Sequence, residues 1–507
     1  MKRLLLVFLA ACLLVSACSH HPEAVSPPDS SASHPPITPA WALGQIVWED
    51  EFNTQESAIR LVDSYLQRNI PVSGIIIDSP WATSYNDFHW DPARYPVPQE
   101  MLDYFRGKGV HTLLWLTGCM NHSESDEDCP VVESSNYQEA VSKGFVINDG
   151  EESHWWKGSG AHLDFTNPDA VQWWYGQVDK VMTPGVDGFK VDQGEINFGD
   201  SVRTSIGLLS NHQFRPYYYD AMFDYVNDRR PGMGMILARP WSFQGEGCFS
   251  HPEKLSVGWC GDFVGDWSGL KFQLENVYRS ALAGYGACGT EVGGFMGASP
   301  SKEQLIRYAQ FAAMTASMIN GGYNGPFTGH LAWWHGPDAE IIYRQVVNLH
   351  YSLVPYIFST LVEAHLHGGT LLQNVDLEEE SHMLGPDLFT KAITSDSGEV
   401  NFTLPAEGEW VDWKSGETFP GGTAIHRQYG LDEFPLFVRK GTVIPLKEDG
   451  QFVLLITPGD KPLKATFHLP AGEGTDYFDC TVSVRPKGRK ARVKCDSTLP
   501  VTIRWNE

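Results

Sequence analysis

The sequence predicts an α/β fold in which a (β/α)8 barrel is followed by one or two β-sandwich domains. Short apolar runs alternate with amphipathic helical segments across residues 41–365, and several runs end abruptly in a charged residue. This rhythm is typical of a parallel-strand barrel, whose catalytic side chains lie at the C-terminal ends of its strands. A doubly wound sheet would instead need a glycine-rich phosphate loop after its first strand, and the sequence has none there.

The elements of the barrel follow from hydrophobic periodicity. Strands are predicted at 44–48, 74–78, 110–116, 188–192, 235–239, 255–262 and 287–291, with a final strand region that begins at residue 318. Helices are predicted at 55–68, 98–108, 168–181, 217–228, 267–283, 304–319 and 339–361. Beyond about residue 366 the pattern changes to short alternating strands with turn residues between them, which indicates β-sandwich modules. We expect a proximal β-sandwich over 366–446 and a small distal β-domain over 447–507.

The N-terminal residues have the pattern of an export signal. A charged start, an apolar run over 4–15 and the segment that ends at Cys18 resemble the bacterial lipoprotein box. The apolar run is too short to span a bilayer comfortably, which disfavours the alternative of a membrane anchor. We expect a signal peptide over 1–18 with a lipid on Cys18, and a flexible tether over 19–40. The predicted location is the bacterial cell envelope, on the outer membrane and either periplasmic or surface-exposed.

The charge of the chain restricts its partners. It carries 62 acidic and 37 basic residues, a formal net charge of -25. Nucleic acid is therefore not expected as a partner, and membrane contact is expected only through the lipid anchor, because phosphate binding requires clustered Lys and Arg. The 17 Trp, 19 Tyr and 26 Phe residues could stack on sugar rings, although most of them will belong to the core.

Seven cysteines remain once Cys12 and Cys18 are set aside, and six of them form couples that are close in sequence: 119 with 129, 248 with 260, and 480 with 495. Such spacing suits disulfides that join loops or hairpins in an oxidising compartment. Cys288 is left over and is expected to be a buried free thiol. No zinc-binding motif occurs, so no metal or other cofactor is expected.

The stretch 188–195 holds the strongest catalytic candidate. A short apolar strand ends at Val191 and is followed at once by Asp192, with Glu195 just behind it. Barrel strands deliver catalytic side chains at this end, but an aspartate here can also simply cap a turn. The stretch alone does not decide between these two readings.

Several motifs together point to one family. The stretch 188–195 (Gly-Phe-Lys-Val-Asp-Gln-Gly-Glu) resembles the nucleophile strand of the α-xylosidase-like branches of glycoside hydrolase family 31. Residues 259–262 (Trp-Cys-Gly-Asp) resemble that family's acid/base segment, and 289–295 resemble its Ala-Asp-Ile-Gly-Gly-Phe signature. Residues 386–446 are similar to its β-domain after the barrel. The resemblance covers about residues 41–446 and implies a retaining α-glycosidase, although some members are transglycosylases and lyases.

The resemblance implies two catalytic carboxyl groups. Asp192 would attack the anomeric carbon, and Asp262 would protonate the leaving oxygen and then activate water. Asp266, Glu246 and Glu195 are the alternative candidates for the acid. Asp164 lies in a segment similar to one of the family, where it is expected to act as a structural cap.

The remaining candidates for sugar binding each have a structural alternative. Asp78 could cap a helix, Trp115 and Trp259 could be barrel core, Arg239 could pair with a structural carboxylate, and Lys190 could pair with Glu195. The histidine that the family has after its last strand would be His330 or His335. By resemblance, the substrate-binding candidates are Asp78, Trp115, Lys190, Arg239, Trp259, Glu291 and His330.

The departures from the family pattern affect the expected substrate. The barrel begins almost directly after the tether, so a compact form without the family's usual N-terminal β-sandwich is expected. Glu291 stands where the family has aspartate, and the region 318–326 lacks the family's Arg-x-His pattern. The loops 119–160 and 240–258 are expected to reshape the rim of the pocket.

These observations lead to three hypotheses. The first is an exo-acting retaining α-glycosidase that acts on an oligosaccharide or glycoconjugate, with α-galactoside as the first expectation and α-xyloside or α-glucoside next. The second is an α-transglycosylase that uses the same site. The third is a non-catalytic, surface carbohydrate-binding lipoprotein, against which the pair of strand-end carboxylates argues.

Overall fold

The computed structural model describes residues 34–50, 53–125, 132–192, 198–199, 201–242, 247–297, 299–322, 329–485, 489–496 and 500–506. The expected anchor at Cys18, the tether up to residue 33, and Cys129, Glu195 and Glu246 lie outside the described residues. So does the stretch 323–326 of the final strand region.

A closed parallel barrel forms the first part of the described chain and confirms the predicted fold class. Its strands follow one another around the barrel in chain order, with the last pairing back onto the first. They are β1 (Gln45–Glu49), β2 (Gly74–Ile77), β3 (His111–Leu116), β7 (Val186–Val191), β10 (Met235–Ala238), β13 (Val257–Trp259), β14 (Cys288–Glu291) and β15 (Ser317–Asn320).

The α-helices of the described chain lie between most of these strands, and the last follows β15. They are α1 (Gln55–Leu66), α2 (Pro98–Gly107), α3 (Tyr137–Ser142), α4 (Pro168–Val178), α5 (Asn211–Arg229), α6 (Trp267–Leu282), α7 (Lys302–Ala313) and α8 (Pro337–His367). The helix predicted over 304–319 is wrong at its end, because α7 stops at Ala313 and the following residues turn into β15. Pairing with β1 and β14 makes that apolar run a strand.

The barrel strands alternate their side chains between two cores. Ile46 and Trp48 of β1 pack inside the barrel with Leu237 and Trp259, whereas Val47 packs outward against the helices. This period of two is the general pattern of a strand with two buried faces. Because the alternation continues past the end of each strand, every second side chain there points over the barrel mouth.

Gly188 allows two of the strands to approach closely. A Cβ at this position would lie 1.8 Å from the backbone oxygen of Met235 on β10. Gly188 pairs with Met235, and three residues later Val191 pairs with Ala238. The next two residues, Asp192 and Arg239, therefore leave the barrel side by side.

Three small antiparallel units extend the loops above the barrel. The largest joins β4 (Cys119–Ser125), β5 (Ser153–Trp155) and β6 (Gly158–His162) in the order β4-β6-β5. The other two are the hairpins β8 (Val202–Thr204) with β9 (Gly207–Leu209), and β11 (Trp241–Ser242) with β12 (Gly247–Cys248).

The part of the chain after α8 is all β, as expected. A six-stranded sheet contains β16 (Leu372–Asp376), β17 (Ser381–Leu384), β18 (Leu388–Lys391), β23 (Leu436–Arg439), β20 (Glu409–Asp412) and β21 (Thr418–Pro420). It is accompanied by the pair β19 (Glu399–Thr403) and β22 (Ala424–Gln428).

Two three-stranded sheets follow. One contains β24 (Thr442–Glu448), β25 (Gln451–Thr457) and β29 (Val501–Trp505), and the other β26 (Leu463–Pro470), β27 (Tyr477–Arg485) and β28 (Lys490–Cys495). β24, which the predicted boundary at 446 divides, pairs along its whole length with β25.

The cysteines follow the sequence prediction only in part. Cys480 and Cys495 form a disulfide between β27 and β28, as predicted. Cys248 and Cys260 are both free, so their predicted disulfide is wrong: Cys248 lies on the β12 hairpin, whereas Cys260 is buried beyond β13. Cys288 is a buried free thiol, as predicted, and Cys119 is also free. In the described part of the chain, no helix is both long and apolar enough to cross a membrane.

Candidate active site

A cavity of about 320 Å³ opens at the C-terminal end of the barrel. This volume is near the lower end of the range for small-molecule sites. Two large side chains at its mouth, Trp156 and Met296, are 46% and 42% exposed. The lining residues are Asp50, Asp78, Ser79, Trp115, Trp156, Lys157, Lys190, Asp192, Asp262, Phe295 and Met296.

The two predicted catalytic carboxylates meet at one guanidinium group. Arg239 Nη2 lies 3.3 Å from Asp192 Oδ1 and 3.4 Å from Asp262 Oδ2. The distance between the two carboxylate oxygens therefore cannot exceed the sum of these two distances. This bound is compatible with the carboxyl separation of about 5–5.5 Å in retaining glycosidases. Asp192 also accepts a hydrogen bond from Trp115 Nε1 at 3.1 Å. The nucleophile candidate is thus oriented from two sides.

Asp262 has the environment of a proton donor. Burial raises the pKa of its carboxyl group; Arg239 opposes that rise and the negative charge of Asp192 adds to it. The side chain nevertheless keeps 23% of its exposure, so a substrate can reach it. A pair of carboxyls in which one has a raised pKa matches the division between nucleophile and acid.

A buried ion pair forms another wall of the cavity. Lys190 Nζ donates to Asp78 Oδ2 at 2.9 Å, and both side chains are 4% exposed. The same Nζ lies 3.8 Å from the ring centre of Trp48 and 4.5 Å from that of Trp259. Burial alone would lower the pKa of Lys190, but the charges of Asp78 and Asp192 outweigh it and raise the pKa. The lysine is therefore a permanent cation that pairs with Asp78, and the alternative of a pair with Glu195 lies outside the described residues.

Four of the predicted substrate-binding residues lie behind the cavity wall rather than on it. Arg239 is 1% exposed, Trp259 0%, Glu291 3% and His330 2%. Arg239 stacks 4.0 Å from the ring centre of Trp259, whose Nε1 donates to Glu291 Oε1 at 2.8 Å. These four residues are not among those that line the cavity, and direct contact of their side chains with a sugar stays a prediction.

The histidine candidates lie outside the cavity lining. His330 borders a separate small cavity of about 20 Å³. Burial lowers its pKa to about 3, so the imidazole is neutral. His335 Nε2 lies 2.6 Å from the backbone oxygen of Gly329. Neither imidazole is among the residues that line the cavity at the barrel mouth, and a role of either in sugar binding stays a prediction.

Two other carboxylates have structural roles. Asp266 caps α6 by accepting a hydrogen bond from the backbone N–H of Gly269. The hydroxyl of Ser268 also donates to it, and this hydrogen bond is the main cause that lowers the pKa of Asp266. This use removes it as an alternative acid. Asp164 accepts from the N–H groups of Thr166 and Ser205, which confirms its expected role as a cap.

Six lining residues were not predicted. Asp50 follows β1, and its direction could have been found from the alternation that points Trp48 inward and Glu49 outward. Phe295 belongs to the recognised 289–295 signature and stacks on Trp48 with ring centres 5.4 Å apart. Trp156 and Lys157 come from the loop 119–160, which does shape the rim as expected. Ser79 and Met296 carry no comparable sequence signal.

Comparisons with known proteins agree with this geometry. Residues 35–360 match the family model for the glycosyl hydrolases family 31 TIM-barrel domain, and residues 366–444 match the model for the family 31 C-terminal domain. An α-xylosidase of Emericella nidulans is 24% identical over 446 residues, which cover 81% of this chain and 54% of the relative. An α-glucosidase of Saccharolobus solfataricus is 24% identical over 468 residues, covering 82% of this chain and 64% of the relative.

A solved structure shares the fold. The cycloalternan-forming enzyme of Listeria monocytogenes, in complex with a pentasaccharide substrate, superposes with a TM-score of 0.80 at 21% identity. The match covers 93% of this chain and 49% of that one. The chain thus spans between about half and two thirds of the length of these similar proteins.

Proposed function

The chain belongs to glycoside hydrolase family 31, and on that premise we propose that it is an exo-acting, retaining α-glycosidase. The observation that carries this proposal is the contact of Asp192 and Asp262 with the same nitrogen of Arg239. A binding protein has no need to hold two carboxylates so close together, since their repulsion costs free energy. A double displacement needs both.

The reaction assigns a different task to each carboxyl. Asp192 attacks the anomeric carbon and forms a glycosyl ester, while Asp262 gives its proton to the departing oxygen. Asp262, now a carboxylate, then takes a proton from water, which attacks the ester and releases the sugar with its original configuration. Arg239 stabilises the anionic form of whichever carboxylate is charged at each step.

The opposite side of the cavity supplies groups for sugar hydroxyls. Asp50 and Asp78 follow the neighbouring strands β1 and β2, and Lys190 stands beside Asp78. Carboxylate oxygens accept from hydroxyls and the ammonium group donates to them. A cavity of about 320 Å³ suits one terminal sugar, which supports exo action on an oligosaccharide or glycoconjugate.

The identity of the sugar is the finer part of the proposal. The sequence favoured α-galactosides, but the two curated relatives described above are an α-xylosidase and an α-glucosidase, which gives that preference no support. We therefore place α-xylosides and α-glucosides first. The test is a panel of aryl α-xyloside, α-glucoside and α-galactoside, with the configuration of the first-formed product followed by proton NMR. Release of the β-anomer, or of no sugar from any of the panel, would contradict the proposal.

Transglycosylation on the same site is a second candidate. It is supported by Trp156, which is half exposed at the cavity mouth and could stack on an acceptor sugar, and by the fold shared with the cycloalternan-forming enzyme. Products longer than the substrate at low substrate concentration would establish it. Sugar binding without turnover of any glycoside would instead favour the non-catalytic alternative.

The cellular location is proposed from the sequence alone. Lipid on Cys18 would hold the enzyme in the bacterial cell envelope. The variant Cys18→Ser should then move from the membrane fraction to the soluble fraction of cells, and unchanged fractionation would contradict the anchor.

A further inference from the structure

Glu291 is a buried carboxyl that the proposed mechanism does not use. It ends β14, is 3% exposed, and its backbone N–H donates to Gln273 Oε1 at 2.9 Å. Its Oε1 accepts from Trp259 Nε1 at 2.8 Å. Its second oxygen, Oε2, is buried and has no hydrogen-bond partner among the residues that the structure describes.

Trp259 connects this carboxyl to the charged groups of the cavity. Arg239 Cζ lies 4.0 Å and Lys190 Nζ lies 4.5 Å from the centre of its ring. Cations at such distances are attracted to the electron-rich face of an indole. Arg239 contacts Asp192 and Asp262, and Lys190 contacts Asp78, so one indole touches the cations that position three carboxylates.

We propose that Glu291 is a positioning residue that fixes Trp259 as the common platform beneath Arg239 and Lys190, and that it does so as the neutral acid. The inference rests on the proposed glycosidase function for its effect on catalysis. The platform and the protonation state of Glu291 are properties of the folded chain itself.

The unpartnered oxygen argues for the neutral acid. A buried carboxylate with one oxygen left unbonded is far more costly than a neutral carboxyl in the same place. The groups that reach Glu291 are Asp262, Lys190 and Arg239 across the site, Cys260 beside Trp259, and Tyr308 on α7. Burial and the charge of Asp262 outweigh the two cations and raise the pKa of Glu291 to about 8.

The length of the side chain matters for the contact. Aspartate, which the family resemblance places here, is one methylene shorter and would withdraw the acceptor from the indole N–H unless the strand moved. Glutamine keeps both the length and an acceptor oxygen, and it cannot ionise. Comparison of Glu291→Gln with Glu291→Asp therefore distinguishes the effect of side-chain length from the effect of charge.

Kinetics of these variants test the positioning role. We expect Glu291→Gln to keep kcat within about threefold of the parent at pH 6, and Glu291→Asp to lose about 10–100-fold in kcat with a smaller change in KM, because a displacement of about 1 Å at the reacting groups has such effects. Equal activity of Glu291→Asp and the parent, or equal loss in both variants, would overturn the proposal.

The hydrogen bond itself is tested from its other end. Trp259→Phe keeps a ring under the cations but removes the N–H donor, and should lose kcat to about the same extent as Glu291→Asp. The double variant should lose no more than the worse single variant, because both changes break one contact. Additive losses would show that the two residues act independently. This comparison also serves if Glu291→Asp folds poorly.

Thermal melting tests the neutral acid without any assay of activity. The folded-state pKa of about 8 lies above the ordinary 4.5, so the neutral form stabilises the fold below pH 4.5 and that contribution is lost as the pH rises to 8. The Tm of Glu291→Gln minus that of the parent should therefore increase between pH 5 and pH 8. A constant difference would refute the neutral acid even if the chain proves to have no glycosidase activity.

Discussion

The barrel-mouth cavity and a second, larger cavity differ in what their walls offer a ligand. The second is a crevice of about 480 Å³ between α8 and the β-domains, lined by residues that include Thr360, Asp387, Thr442 and Phe467. We call it the junction crevice. Two of its hydroxyls already donate to backbone oxygens: Thr360 to Tyr356 and Thr442 to Arg439. The smaller cavity instead gathers charged side chains from several strand ends.

This difference shows that the number of charged side chains around a cavity identifies the candidate active site better than the volume of the cavity does. Charged groups that are crowded into a small volume destabilise the folded state. Such clusters are therefore found mainly at functional sites. The junction crevice is lined by two carboxyls, Asp387 and Glu363. Glu363 lies 3.5 Å from His367 Nε2, but both of these side chains are largely exposed, at 48% and 71%, so water screens the pair.

The largest effect is expected for Asp192→Ala. Loss of the nucleophile should lower kcat by about 10⁴-fold or more on every substrate. Added azide should restore part of the turnover and give a product of inverted configuration, since it can occupy the vacated space. The matched control is Asp387→Ala in the junction crevice, which should leave kcat unchanged. Full activity of Asp192→Ala would remove the distinction between the two cavities.

A smaller and substrate-dependent effect is expected for Asp262→Ala. A general acid contributes about 10²–10⁴-fold where the leaving group needs a proton. The variant should therefore be nearly inactive on alkyl α-glycosides but should keep kcat/KM for a dinitrophenyl α-glycoside within about tenfold of the parent, because that ratio covers only the steps up to the glycosyl ester. Values of kcat/KM with the two leaving groups make the comparison, since loss of the base slows hydrolysis of the ester with both. A uniform loss on both would assign the acid to another residue.

Asp78→Asn tests the buried ion pair and should affect both activity and stability. Removing one partner of a buried pair leaves Lys190 uncompensated, which typically costs about 3–5 kcal/mol in the free energy of unfolding. Denaturant unfolding at pH 7 measures that cost, and kcat/KM should fall as well because a sugar contact is lost. The variant Asp50→Asn, which keeps the pair intact, is the control for stability.

The smallest effect is expected in the junction crevice. Burial raises the pKa of Asp387 to about 6, against the opposing charge of Arg439. A raised carboxyl pKa means that stability is present below the ordinary 3.8 and is lost as the pH rises to about 6. Asp387→Asn should therefore gain about 1 kcal/mol in the free energy of unfolding at pH 7 and nothing at pH 3.5, since the group is only partly buried. A gain at both values would mean that charge is not the cause.

The sequence predicts the strand-end residues well because their signal is local. Asp78, Asp192 and Arg239 each follow a buried apolar run, and the structure brings all three to the barrel mouth. The depth of a side chain relative to the cavity is harder to predict. Whether a side chain lines the cavity or supports it from behind depends on the barrel's register, and the sequence of a single strand does not contain that information. For this reason the sequence did not show that Trp259 and Glu291 lie outside the cavity lining.

The other errors have a similar origin. The run that becomes β15 has helical periodicity, and only its neighbours β1 and β14 make it a strand. Cys248 and Cys260 are close in sequence but belong to different elements, and the intervening loop keeps them apart. Asp50 was missed because the predicted strand ends at residue 48, whereas β1 continues to Glu49 and the alternation then points Asp50 the same way as Trp48.

The bare backbone at Gly188 has a consequence some distance along its strand. Gly188 touches the oxygen of Met235, and the pairing that begins there ends with Asp192 beside Arg239. The distance between the Asp192 carboxylate and the Arg239 guanidinium therefore depends on how closely β7 and β10 approach each other. Only a residue without a Cβ at position 188 allows this approach. Redesign of the rim for another sugar can vary the loops freely, but a single methyl group at residue 188 would push the two strands apart.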